Sequence, residues 1–509
     1  MKRIFTLALS MMTAAMSMTA TDYQDRLQVI VNGEASSQKA TITVNEQGDS
    51  RYTLSLKNFV LKSGEQEVGV GNIILTDIEG AQADGKTVFS VSQQINITEG
   101  DRQDVAVWTG PMLGPIPVEM RAELSGDKLY TVIDIDMMAS LGQIIKVIFG
   151  TGGYQIENSD FEEFHNVADK YVEPNGWHSF ESATGDLAAL AGHHLEQSDD
   201  VRPGSPGTKS VRLYSTSLFG VIANGTMTTG RMNAGSMSAT DSKNNAYLDM
   251  SITEKDANGD PFYAILDGRP DSIAVWVKFK QGKANDKHPY ATMSAVITDG
   301  TYYQDPEDKD YTNIIARAKA TQIATEGGQW QRISAPFSYE ADSGQKAILV
   351  TLSTNADPGQ GSAGDELFVD DMQLIYNAKL SNMKVKGVSI EGFDKDNYEY
   401  TMASEGTISI NDIDVTTDGT AATVEKMIES QSNGAKVTIN VTAGDLADHN
   451  TYTLVISGVT TEGIDVTSHN SAPVIATYSI SGQRIDNRNT REGLRIEKHA
   501  DGKTVKLLR

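Results

Sequence analysis

The chain has 509 residues, no cysteine, and 68 acidic against 43 basic residues, a formal charge of −25. The lack of cysteine excludes disulfides, thiol nucleophiles and anchoring through a lipid-modified cysteine, so stability rests on burial of apolar surface. The acidic balance argues against nucleic acid or an anionic membrane as partner and suits neutral ligands or divalent cations, and at about 100–200 residues per domain the length implies roughly three to five domains.

Met1-Lys2-Arg3 places two positive charges ahead of an apolar run from Ile4 through Met18, with small residues at Ala14, Ala15, Ser17 and Ala20. A basic start, an apolar middle and a small-residue exit define a secretory signal peptide over residues 1–20, cleaved near Ser17 or Ala20. The run is shorter than the roughly 20 residues that span a bilayer, and nothing after residue 20 reads as a transmembrane helix. An exported, non-lipidated chain is expected, in the periplasm, at the cell surface or beyond. Loss of Lys2 and Arg3 leaves 41 basic against 68 acidic residues, or −27.

Residues 22–155 alternate apolar and polar positions in short runs such as Lys39–Val44, Tyr52–Leu56, Thr87–Val91 and Leu129–Ile135. Gly, Asp and Asn break the runs at intervals of roughly 8–12 residues, the mark of a meandering barrel or sandwich. Met137–Leu141 reads as one helical turn. The run "YTLSLKNFVL…VGVGNIILTDIEG" resembles the calycin-like barrel domain of secreted bacterial proteins, which implies a β-barrel over this segment and names no ligand. Gly69-Val70-Gly71 lacks the third glycine and the following helix of a dinucleotide site.

Gly150-Thr151-Gly152-Gly153 reads as a linker. Residues 156–376 then change texture, with Trp177, Trp276 and Trp330 and strands separated by long loops, as in a jelly-roll sandwich. The strands include Ser210–Tyr214, Ala246–Met250, Ser272–Phe279, Ala291–Ile297, Gln331–Ile333, Ala347–Leu352 and Glu366–Ile375. The segment opens with Asn158-Ser159-Asp160-Phe161-Glu162 and closes with "DELFVDDMQLIY" at 365–376, a frame similar to carbohydrate-binding jelly rolls. Between them, "GTMTTGRM" at 225–232 and "DPFYAILDGRPDSIAVWVKFKQG" at 260–282 resemble the carbohydrate-metabolism domain of secreted bacterial proteins. That resemblance spans nearly the whole segment and implies carbohydrate as the substrate class. In related jelly rolls the opening and closing positions bind a structural calcium, so the resemblance implies Asp160, Glu162, Asp370 and Asp371 as its ligands, which suits an ion that takes six to eight oxygens.

A sugar site wants an aromatic face beside polar groups for the hydroxyls. Two loops offer both: Tyr302-Tyr303-Gln304-Asp305 through to Tyr311, and His193-His194 through Asp199 and Asp200 to Arg202. Trp276 lies in an alternating strand with Ala274 and Lys278 on its face and Ile273, Val275, Val277 and Phe279 on the other, so it faces solvent or a cleft. The ligand-binding candidates are therefore Trp276, Tyr302, Tyr303, Asp305, His194 and Arg202, with ordinary edge packing the alternative for the tyrosines. Trp177 and Trp330 read as core or rim.

His193-His194 is no zinc pair, because neighbours on a strand point to opposite faces and neither HExxH nor CxxC occurs. Asp256-x-Asn258-x-Asp260 reads as a hairpin turn, since Pro261 replaces the glycine a calcium loop requires. No G-x-S-x-G elbow occurs, and 68 acidic residues nominate no particular carboxylate pair. Catalytic residues stay unassigned and binding is favoured over cleavage. A glycoside hydrolase or lyase and an adhesive surface protein are the rival readings.

Residues 377–460 have the size of a small sandwich, and "AKLSNMKVKGVSIEGFDKDNYEYTM" resembles the Ig- or cadherin-like spacers of bacterial surface proteins. Residues 461–509 read as a linker and a tail that is basic from Val474 onward and carries "IATYSISGQRI" and "DGKTVKLLR". The tail resembles a degenerate C-terminal sorting segment of a Gram-negative secretion route, and reads equally as a last hairpin on the preceding sandwich. The expected architecture is all-β: a calycin-like barrel, a central jelly roll and a small Ig-like sandwich.

Overall fold

The computed structural model describes residues 19–461 except 64–65 and 84, together with short strands between residues 468 and 508. Most of the expected signal peptide and the turns of the tail lie outside the described residues. The chain divides into two compact units, Met1–Gly150 with Ala472–Arg509, and Thr151–Ser471. Among the described residues, no helix is long and apolar enough to cross a membrane.

Eight strands form a closed antiparallel barrel: β1 (Thr19–Val31), β2 (Glu34–Gly48), β3 (Arg51–Ser63), β4 (Gln66–Ala83), β5 (Lys86–Ile95), β6 (Ile116–Ser125), β7 (Lys128–Met137) and β8 (Gln143–Phe149). Each pairs with its sequence neighbour, and β8 returns to β1 with Phe149 opposite Leu27. Alternation dictates the inside: in β6, Ile116, Val118, Met120 and Ala122 are buried while Pro117 and Glu119 are exposed. Asn32-Gly33, both at positive φ (51° and 91°), make the tight turn from β1 to β2. Met138–Leu141 forms the helical turn between β7 and β8 and ends at Gly142 in the left-handed region.

The long connection from β5 to β6 lies against β4. Asn72 and Thr98 exchange backbone hydrogen bonds of 2.8 and 3.2 Å. A Cβ on Gly71, whose φ is 126°, would stand 2.2 Å from the Thr98 carbonyl oxygen. The paired glycines of Gly69-Val70-Gly71 thus seat a loop on a strand, a place where only a bare backbone fits.

The central segment is a β-sandwich. One sheet has the order Leu195–Ser198, Ser210–Tyr214, Glu366–Ile375, Ser272–Lys280, Gln331–Pro336. The other runs Thr226–Thr228, Ala347–Ser353, Ala291–Thr298, Ile314–Ile323, Ser338–Tyr339, with Ala264–Ile265 also paired to Ala347–Ser353. Ile273, Val275, Val277 and Phe279 of the first sheet, and Met293, Ala295, Ile297, Ile348 and Val350 of the second, are completely buried. A third sheet, Arg231–Ala234, Asn244–Leu248 and Tyr303–Asp305, shares a core of Met232, Leu248, Val296, Tyr303 and Leu349 with the second.

The next segment packs Val388–Ser389, Leu380–Val385 and Ile413–Thr417 against a five-stranded sheet around Leu380, Met383, Ile408, Val437 and Leu454. Within that sheet Glu399–Ile408 runs parallel to His449–Thr461. Asp271 of the central sandwich ties the two segments together by accepting hydrogen bonds from the backbone amides of Asn377 (2.7 Å) and Thr420 (2.6 Å). In the tail, Val474–Ser479, Arg484–Ile485, Leu494–His499 and Thr504–Leu508 form a four-stranded antiparallel sheet.

Candidate functional site

The strand Ser272–Lys280 turns Ile273, Val275, Val277 and Phe279 into the sandwich, which leaves Ala274, Trp276, Lys278 and Lys280 on the outer face of the five-stranded sheet. Register places Trp276 between Asp370 and Arg332, Lys278 beside Phe368, and Lys280 beside Glu366. The loop after Ser198 folds back over this face. The Arg202 backbone amide donates to Asp370 Oδ2 (2.8 Å) and its Nε to Asp371 Oδ2 (2.6 Å), and its guanidinium lies 5.4 Å from the centre of the Trp276 ring. Ser205 Oγ adds a hydrogen bond to Asp371 Oδ2 (3.0 Å).

Next to this sits a second group. Lys278, only 7 % exposed, pairs with Asp200, and Trp330 Nε1 donates to the other Asp200 oxygen (3.2 Å). The Lys278 ammonium stands 5.3 Å over the Trp330 ring and 4.5 Å over Phe368, and Lys280 stands 4.9 Å over Phe368. Burial opposes the charge of Asp200, but hydrogen bonds from Lys278 and Trp330 outweigh it and hold the carboxyl below the usual range. Asp370 behaves oppositely. Burial pushes it up to about 7, with the Arg202 amide resisting and the charge of Asp371 adding to the rise. Its Oδ1 is buried without a hydrogen-bond partner.

Of the sequence-predicted ligand residues, the structure brings together Trp276 and Arg202, but as a stacked pair that pins a loop. His194 is corrected to a core residue. It is fully buried beside Phe180, its two ring nitrogens 3.0 and 2.6 Å from the carbonyl oxygens of Tyr214 and Ala191. Tyr303 is corrected likewise: it is fully buried, and its hydroxyl donates to Glu307 (3.1 Å). Tyr302 is 39 % exposed and stacks 5.8 Å from Tyr247, and Asp305 accepts a hydrogen bond from Ser294. These residues belong to the small third sheet, over the outer side of the other main sheet, so they and Trp276 occupy opposite faces of the sandwich.

The opening and closing segments do meet, through a hydrogen bond from the Met372 amide to the Ser159 carbonyl (2.8 Å), with Phe161 packed on the buried Trp177. The calcium set implied for Asp160, Glu162, Asp370 and Asp371 is not assembled. Glu162 accepts the backbone amides of Thr208 (2.9 Å) and Lys209 (2.8 Å), and Asp370 and Asp371 receive Arg202. Among the described residues, no group of three or more His, Asp or Glu side chains is placed to hold a metal ion.

Two features escaped the sequence reading. The Asp200–Lys278–Trp330 group joins residues far apart in sequence, and its one local signal is a lysine between Val277 and Phe279 in an apolar strand. The Asp256 turn forms as expected, its Oδ1 accepting the amides of Asn258 (2.9 Å) and Asp260 (2.7 Å). Its Oδ2, however, faces two buried imidazoles, His178 Nε2 at 3.3 Å and His165 Nε2 at 3.5 Å. Burial would raise this carboxyl, and the hydrogen bond from His178 and the Asp260 amide more than offset that, holding it low.

The barrel interior is nearly filled. A cavity of about 50 Å³ remains, lined by Leu27, Leu54, Phe59, Ile116 and Phe149 among others, with the hydroxyls of Ser55 and Thr131 in an otherwise apolar wall. Thr131 Oγ1 has no hydrogen-bond partner. Eight strands enclose about the width that side chains can fill or one small ligand can occupy.

No curated protein matches the chain. Residues 19–152, the eight-stranded barrel, match the family model of the calycin-like beta-barrel domain.

Proposed function

We propose that the chain is an exported modular protein that binds carbohydrate on the outer face of the five-stranded sheet of its central sandwich. The observation that carries this reading is the Trp330–Asp200–Lys278 group, a half-buried indole whose N–H shares one carboxylate with a lysine. A pyranose presents an apolar face and a rim of hydroxyls, and an aromatic ring beside fixed donors and acceptors complements both. The resemblance of residues 156–376 to the carbohydrate-metabolism domain supports the substrate class, and the basic and then apolar opening residues support export. Binding is favoured over cleavage because Asp200, Asp371 and Glu366 on this face are each engaged by a cation, Lys278, Arg202 and Arg212. Hydrolysis instead needs a free carboxylate pair across a cleft. One observation favours hydrolysis as a second reading: Asp370 is held near 7, where general acids work, although it lies fully buried beneath Arg202.

Affinity electrophoresis of the full chain through gels cast with neutral and acidic polysaccharides tests both readings. Binding predicts retardation without loss of polymer, and an affinity weakened about tenfold in Trp330→Ala, the scale of a lost aromatic contact. Clearing of polymer that disappears in Asp370→Asn would establish hydrolysis. Neither signal across the panel would contradict both.

A further inference from the structure

The face assigned above to carbohydrate carries more positive charge than its ion pairs use, and this deepens that reading. Its carboxylates are committed: Asp200 to Lys278, Asp371 to Arg202, and Glu366 and Glu196 to Arg212. Two cations are left over. Among the described residues, neither Lys280 nor Arg332 forms a side-chain hydrogen bond or an ion pair within 4 Å; Lys280 leans on the Phe368 ring and only its longer-range charge reaches Asp200, and Arg332 is exposed. Register puts them on either side of Trp330. Arg332 lies two residues further along the chain and pairs with Trp276, while Lys280 lies two residues beyond Lys278, whose ammonium stands over the Trp330 ring. Side chains two residues apart on a strand share a face at roughly 7 Å, about the width of a sugar ring.

We propose that this face selects an acidic saccharide, one whose ring lies on Trp330 while its anionic group meets Lys280 or Arg332. At physiological salt the screening length is about 8 Å, so the distant acidic surface is muted and these two nearby cations decide the local preference. The guanidinium of Arg332 offers the two-pronged donor geometry that a carboxylate or sulfate accepts. The inference rests on the carbohydrate reading, and one experiment separates their failures.

The full chain, its Lys280→Ala/Arg332→Ala double variant and its Trp330→Ala variant would be run in gels cast with polygalacturonate, a sulfated galactan or a neutral galactan. The expected result is tighter binding of one or both acidic polymers than of the neutral one. That preference should fall about tenfold in the double variant, and toward that of the double variant for the parent in about 1 M salt, where screening reaches about 3 Å. Which acidic polymer binds identifies the carboxylate or the sulfate as the recognised group. Equal binding of neutral and acidic polymers with loss in Trp330→Ala would overturn the charge selection and leave the carbohydrate reading standing. An acidic preference that survives in the double variant would also overturn it, and no binding to any polymer would sink both.

Discussion

Asp370 and Thr131 are each buried with an oxygen that has no partner, and each makes a sharp prediction about its surroundings. Asp370 titrates near 7 in the folded chain, against about 4 when unfolded. Between those values the folded state holds a proton that the unfolded state releases. Its contribution to stability is therefore complete below about pH 4 and is lost as pH rises through 7. Asp370→Asn has no such dependence. Urea unfolding followed by tryptophan fluorescence should show the variant equal to the parent near pH 4 and about 2–4 kcal/mol more stable at pH 8. A constant difference across that range would contradict the assignment. In the barrel, Thr131→Val removes an unpartnered hydroxyl at nearly constant volume. It should be neutral or stabilise by about 1 kcal/mol, read as a shift in thermal midpoint. A clear destabilisation would mean that the hydroxyl has a partner, such as a bound guest, in solution.

Strands that advertise themselves do so by alternation, and these were legible. Ser272–Lys280 extends the expected Ser272–Phe279 by one residue, and Glu366–Ile375 has the bounds its apolar pattern implies; β6 alternates cleanly in the structure but was not picked out among the expected strands. Ile314–Ile323 was not anticipated, because its buried positions include Ala316 and Ala318, too small to stand out against Arg317 and Lys319. The ligand-binding candidates fared less well. His194 and Tyr303 sit in loop-like, polar sequence, yet tertiary packing buries both completely. Trp330, read as core or rim, is the centre of the proposed site because a residue 130 positions away in sequence supplies its partner, Asp200. No local pattern carries such a pairing. At β4 the glycine pair has a structural role that can be measured. Gly71→Ala collides with the Thr98 carbonyl and should cost about 2–3 kcal/mol, whereas Gly33→Ala meets no atom and should cost about 1 kcal/mol, from its positive φ alone. Equal losses in thermal unfolding would contradict the close approach of the loop to β4.

At the scale of the molecule, the barrel and the central sandwich offer two different chemistries. The barrel encloses a small apolar cavity with two hydroxyls in its wall, and the sandwich presents an aromatic and charged face. A mostly hydrocarbon cavity of about 50 Å³ holds little beyond a few waters or a slender apolar group. The sandwich face sets an aromatic ring beside fixed donors and acceptors, which is why the proposed function is placed there. Asp271 anchors the following sandwich to the central one through two short hydrogen bonds. Retention of the full chain by a polysaccharide gel, compared with Trp330→Ala, tests this account most directly. Retardation of the parent, weakened about tenfold in the variant with the polymer left intact, is the predicted result. Equal mobility of both proteins in every polymer, or retardation that Trp330→Ala leaves unchanged, would contradict it.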